Sequence, residues 1–312
     1  MEAVDYDLGT KNLRLTREGP ILWCTIDRPG ARNALTPAMY FGIKKAVRLV
    51  NSDKSLRALI ITGTGDVFAP GGELGGRREE GDQPLPDGLV YEMLPFVSIR
   101  ESQAPVISAV NGICQAGGLL IAMLSDIAVC SERATFRVPE LLRGIIDATY
   151  AAILPIHVGM AQARDLLLSA RRLDAAEALR IGLISRVVKH EDLRAEALKA
   201  ATEILQTAPE CRAHVKRMLN QQYARIDYET MFAALMSETS EAREGMEAFM
   251  EKRQPNWIPE GLPADIDADL ARDERFESTG FAGEGIVNAQ HRPSLAMQCA
   301  ETTVAANPPS VD

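Results

Sequence analysis

The chain has 312 residues, 46% hydrophobic and 25% charged, enough to bury the core of one large domain or two. A net charge of −9 with no block of Lys and Arg argues against nucleic-acid binding, and no apolar run reaches the ~18 residues of a membrane span. Met-Glu-Ala-Val-Asp-Tyr-Asp at the start lacks the apolar core of a signal peptide, and five scattered cysteines with no Cys-x-x-Cys pair read as thiols in a reducing cytoplasm.

Asn12–Thr16 and Ile21–Ile26 are expected as paired strands around the Glu18-Gly19-Pro20 turn. Thr36 followed by Pro37 marks a helix start, with Ile43, Val47 and Val50 recurring on one face. Arg57–Thr62 reads as a buried strand. Residues 75–90, rich in charge, Gly and Pro, read as a mobile loop ahead of a helix over 90–102. Val106–Val110 and Asp126–Cys130 are further strands, so the first half fits a layered α/β arrangement with long crossovers.

The second half is helical. Helices are predicted over Ala161–Ser169, Asp174–Ile181, Asp192–Leu205, Glu210–Tyr223 and Tyr228–Lys252, with a capping-box pattern at Asp174 to Glu177 and a stop at Gly182. Beyond Trp257 prolines punctuate a stretch of Asp, Glu, Ala and Gly, and 258–312 is expected to be a disordered appendage. No spacing of His, Cys and acids suggests a metal site.

Two glycine loops carry the chemistry. Val106–Val110 runs into Asn111-Gly112, and Ala116-Gly117-Gly118 then opens an apolar helix. A bare helix N-terminus offers unpaired N–H groups and a partial positive charge to an anion. Phe68-Ala69-Pro70-Gly71-Gly72-Glu73-Leu74 supplies a second place where the backbone can approach a ligand closely. N–H groups of Gly72 and Gly117 converging on one point would form an oxyanion hole; each loop alone is better explained by turn glycines.

Together the loops resemble those of the crotonase (enoyl-CoA hydratase/isomerase) superfamily, and the resemblance spans Asn12 to Trp257. It includes Arg28-Pro29 with Arg32-Asn33-Ala34-Leu35, Ile61-Thr62-Gly63 leading to the first loop, Val110 to Asp126, and Glu244-Gly245-Met246-Glu247-Ala248-Phe249 with Glu251-Lys252-Arg253. The resemblance implies an α/β fold, a spiral of repeated ββα units over 1–190 followed by a helical trimerisation region over 191–257. It implies a coenzyme A thioester substrate, no separate cofactor, and a homotrimer or dimer of trimers. The thioester carbonyl would lie between the N–H groups of Gly72 and Gly117, with Ala69, Gly71, Gly118 and Leu120 lining the site. Arg28 and Arg32 would lie near the nucleotide end of coenzyme A, and Phe249 with Lys252 would reach it from a neighbouring subunit.

The side chains narrow the reaction. Hydratases of this family share proton and water handling between two glutamates; the position matching the first is Leu120, and the second is Glu140. A lone carboxyl in an apolar pocket has its pKa raised, which suits reversible proton transfer. One such base can move a double bond from C3 to C2, and the pattern around Leu120 and Glu140 is similar to Δ3,Δ2-enoyl-CoA isomerases, the expected reaction. Asp147 stands where dehalogenase-like and dienoyl-CoA isomerase-like members carry an aspartate. It is open as a second acid for hydration, as a nucleophile in thioester hydrolysis or dehalogenation, and as the N-cap of a helix from Ala148. A non-catalytic acyl-CoA-binding protein is the alternative of another class.

Overall fold

The computed structural model describes residues 1–73, 82, 94–235 and 239–259. Strands β1 (Glu2–Ala3), β2 (Leu13–Glu18) and β3 (Ile21–Ile26) pair antiparallel, β2 and β3 in the register Leu13↔Ile26 to Glu18↔Ile21. Helix α1 (Pro37–Ser52) begins where Thr36 Oγ1 accepts the Met39 N–H at 3.3 Å, and it buries Ile43, Val47 and Val50. A cap of this kind stabilises a helix by about 1 kcal/mol.

Three ββα units follow. The first is β4 (Ala58–Gly63), β5 (Val67–Ala69) and α2 (Pro95–Arg100). The second is β6 (Val106–Val110), β7 (Ile113–Gln115) and α3 (Gly117–Leu124). The third is β8 (Ile127–Ser131), β9 (Thr135–Arg137) and α4 (Ala148–Ser169). Then come β10 (Leu173–Asp174), α5 (Ala175–Arg180), β11 (Arg186–Val188), α6 (Leu193–Leu205), α7 (Pro209–Asn220), α8 (Tyr228–Leu235) and α9 (Ser240–Glu251).

The first strand of each unit joins a seven-stranded sheet of order β1-β2-β3-β4-β6-β8-β11, and the second joins a four-stranded sheet of order β10-β9-β7-β5. Neighbouring units stack parallel in both sheets, so each unit advances the chain by one strand in each and the path is a spiral. The β6 strand is buried along its whole length because both faces of the large sheet are covered. Leu59, Ile61, Val106 and Val110 face the main core, whereas Ile60, Ile107 and Val129 pack beneath Leu193, Ala197 and Ala201 of α6.

Several expectations are refined. The small sheet is absent from the sequence reading, since its strands have two or three residues each and carry no usable alternation. The helix expected over Ala161–Ser169 is continuous with the one from Ala148, apart from a break at Gly159 (φ +75°). The predicted Tyr228–Lys252 helix is divided, because Thr239 accepts the Ala242 N–H at 2.9 Å and starts α9 anew. Asp174 accepts the Glu177 N–H at 2.7 Å, and Gly182 has φ +81° just past that helix. The loop expected at 75–90 lies outside the described residues except Asp82, and so does the appendage from 260 onward. No helix among the described residues is long and apolar enough to cross a membrane.

Candidate active site

Two buried asparagines build the base of the first loop. Asn33, itself left-handed (φ +62°), donates to the carbonyls of Thr64 (3.0 Å) and Val67 (2.7 Å) and accepts the Arg28 N–H (3.0 Å). Asn111 accepts the Gly63 N–H (3.1 Å) and donates to the carbonyls of Gly65 (2.7 Å) and Val67 (3.2 Å). Each pairing satisfies backbone that would otherwise cost about 1–3 kcal/mol unpaired. The 63–67 turn is thereby fixed, and β5 leaves it toward Gly71 and Gly72.

The first loop is then held from below. Leu35 N–H donates to Gly71 O (2.8 Å) and Glu73 N–H to Leu35 O (2.9 Å), flanking Gly72 and leaving its own N–H outside the ladder. Arg28 is only 5% exposed, and its guanidinium meets Glu73 (2.7 Å) and the Ala34 carbonyl (2.9 Å). Arg28, expected near the nucleotide end of coenzyme A, holds this loop through both contacts. Arg32 lies half-buried in the left-handed region (φ +48°) at the end of the Pro29–Ala31 turn.

The second loop presses directly on the first. A Cβ on Gly71 would lie 2.5 Å from Ala116 Cβ, and one on Gly118 would overlap the Ala69 carbonyl. Ala116 adopts φ +48°, ψ −131°, a conformation that costs a non-glycine residue about 1–3 kcal/mol and must be imposed by its surroundings. Tyr150, fully buried on α4, donates its hydroxyl to the Ala116 carbonyl at 2.6 Å, and Ala116 N–H reaches Arg137 O at 3.3 Å. These contacts turn the peptide so that Gly117 N–H starts α3 with no hydrogen-bond partner among the described residues. The Gly72 N–H has none either. Leu120 is buried in the first turn of α3 and supplies only an apolar wall.

The acids come from the third unit. Glu140 opens a one-turn helix (Glu140–Arg143) after β9, and Gly144 ends that turn in the left-handed region (φ +65°). Helix α9 clamps it, since a Cβ on Gly144 would overlap the Glu241 carbonyl and one on Gly245 the Arg143 carbonyl. The Arg143 guanidinium stacks 4.2 Å above the Phe249 ring, so Phe249 touches the Glu140 turn of its own chain; Lys252 caps α9 in the open, left-handed (φ +55°). Glu140 is 8% exposed and its Oε2 has no hydrogen-bond partner among the described residues. Burial, reinforced by the Asp147 charge, pushes its pKa well above the usual carboxylate range.

Asp147 caps α4 by accepting the Tyr150 N–H at 3.1 Å, and burial nevertheless raises its pKa from 3.8 to about 6. Capping and proximity to Glu140 coexist in one carboxyl. Both acids hold protons more tightly in the folded chain than in the unfolded one, so the native state carries the extra protons above pH ~4 and stability falls as pH rises through the folded values. For Asp147 that loss is complete a little above pH 6. Asn at 147 keeps the cap but cannot titrate, so the decline in melting temperature from pH 4 to 7 is expected to be shallower in Asp147→Asn than in the wild type; equal slopes would contradict this.

Tyr40 and Tyr150 were missed from sequence, because a tyrosine on the apolar face of a helix reads as ordinary core. Both hydroxyls lie close enough to Glu140 and Asp147 to sense their charge, which adds to burial in pushing their pKa values up. His157 bonds Tyr223 Oη at 2.8 Å and takes no part in this cluster. The arrangement is therefore two N–H groups without partners among the described residues, close to two carboxyls whose hold on a proton burial strengthens. It can hold a carbonyl oxygen as it gains charge and move protons at the neighbouring carbons.

The enoyl-CoA hydratase/isomerase family model matches residues 16–260. A carnitinyl-CoA dehydratase from Salmonella arizonae is 34% identical over 259 residues, covering 80% of this chain and 98% of that protein. An enoyl-CoA hydratase/isomerase from Pseudoalteromonas atlantica superposes with a TM-score of 0.67 at 31% identity, over 80% of this chain and 100% of its own. A carnitinyl-CoA hydratase from Mycobacterium avium does so with a TM-score of 0.67 at 30% identity, over 80% and 98%. The chain belongs to the enoyl-CoA hydratase/isomerase family, the crotonase superfamily, and is an acyl-CoA enzyme of the lyase or isomerase type on that family's fold.

Proposed function

We propose that the protein adds water across, or removes it from, the C2–C3 bond of a coenzyme A thioester, with no cofactor beyond the coenzyme A of the substrate. The observation that carries this reading is the second carboxyl: Glu140 does not stand alone, since the charge of Asp147, the N-cap of α4, acts on it in the protein interior. Asp147 takes the role of base because the Tyr150 N–H it accepts favours its charged form, and Glu140, whose Oε2 has no hydrogen-bond partner among the described residues, is the proton donor. In the hydration direction Asp147 takes a proton from water as the water oxygen bonds C3. Negative charge gathers on the thioester oxygen, held by the N–H groups of Gly72 and Gly117, and Glu140 delivers its proton to C2. Dehydration is the reverse. The names of the dehydratase and hydratase relatives support this direction of chemistry.

A second reading is double-bond isomerisation with Glu140 as the sole acid/base, favoured by the apolar Leu120 at the mouth of α3. The two are separated by incubating the protein with 2-enoyl- and 3-enoyl-CoA esters in H₂¹⁸O. Hydration places ¹⁸O at C3 of the 2-enoyl ester; migration of the 3-enoyl double bond without ¹⁸O would overturn the first reading in favour of the second. Assembly into a trimer or dimer of trimers is part of the proposal, supported by exposed Val215, Met218 and Leu219 along α7. A cytoplasmic setting is supported by Cys24, Cys114 and Cys130, buried as free thiols.

A further inference from the structure

Tyr40 lies on the first turns of α1, 8% exposed, its ring edge-on to Phe96 with centroids 5.8 Å apart. No group among the described residues hydrogen-bonds its hydroxyl. A tyrosine hydroxyl this far inside a protein normally finds a hydrogen-bond partner. The hydroxyl is aimed at the junction of the two glycine loops. A Cβ on Gly117 would overlap it, and a Cβ on Gly72 would lie 3.8 Å from it. It is thus packed against the two residues whose N–H groups are bare.

We propose that Tyr40 is a catalytic residue whose hydroxyl donates a third hydrogen bond to the thioester oxygen held by Gly72 and Gly117. The inference rests on the reading of those two N–H groups as an oxyanion hole. Burial keeps the phenol protonated, with the carboxylates of Glu140 and Asp147 acting in the same sense, so it remains a donor across the working pH range. A neutral donor fixed by ring packing strengthens as charge develops on the oxygen it faces, without reorganising. The same contact accounts for glycine at 117, since any side chain there would displace the hydroxyl.

The test uses the full-length protein with butyryl-CoA carrying ¹³C at the thioester carbonyl. Bound to the wild type, the carbonyl stretch is expected to move to lower frequency. Tyr40→Phe keeps the ring and its contact with Phe96 and is expected to retain only part of that movement. The rate of C2 proton exchange in D₂O is expected to fall about 10- to 100-fold, with little change in KM. Tyr40→Met, also lacking the hydroxyl, is expected to lose the same part of the movement. A carbonyl frequency in both variants equal to that of the wild type overturns the role of Tyr40 while leaving the backbone pair intact. No movement in the wild type itself overturns the oxyanion hole, and the inference with it.

Discussion

Glu140→Gln is expected to lower kcat by about 10²- to 10⁴-fold with thioester binding retained, the range that loss of a positioned acid/base produces. The substitution is nearly isosteric, and burial already favours the neutral carboxyl of Glu140 over the charged one, so the fold need not change to accept an amide. Glutamine removes the one thing the site requires, a group that gives up and recovers a proton beside C2. Turnover and thioester affinity measured on the same preparation check the prediction. Unchanged kcat would remove Glu140 from the chemistry, whereas a loss confined to KM would make it a binding residue.

Gly117→Ala is the second large effect. Losing one oxyanion donor costs about 10²- to 10³-fold in kcat, and a shifted donor loses much of that even when its N–H is still present. The added methyl would overlap the Tyr40 hydroxyl, so either the Tyr40 side chain or the second loop must shift. The collision also predicts its own partial relief. Tyr40→Phe combined with Gly117→Ala is expected to regain part of the lost melting temperature, because the overlapping oxygen is gone, while kcat stays low. A double variant no more stable than Gly117→Ala alone would place the cost elsewhere on the second loop.

How far the molecule is legible in its sequence depends on the length of the signal. Long elements with caps are readable: Thr36 with Pro37 starts α1, Asp174 with Gly182 bounds α5, and the β-branched run Val106–Val110 is a strand. The glycine loops are readable as places where backbone approaches a ligand, and the family resemblance then says which ligand. The four-stranded sheet is not readable, because strands as short as Val67–Ala69 owe their existence to parallel neighbours distant in sequence. Arg28 and Tyr40 were obscured for a related reason. Their contacts are with partners that only folding brings near, Glu73 for the first and Gly117 for the second. Asp147 was readable as a cap and as an acid; the cap is present, and burial raises the pKa of the same carboxyl.

The central claim is that the N–H groups of Gly72 and Gly117 hold one thioester oxygen while Glu140 faces C2. A crystal structure of the Glu140→Gln protein with a bound acyl-CoA tests it most directly. The carbonyl oxygen is predicted within hydrogen-bonding distance of both backbone nitrogens, with C2 directed at residue 140. A thioester carbonyl bound away from either glycine, or with C2 turned from residue 140, would contradict the account.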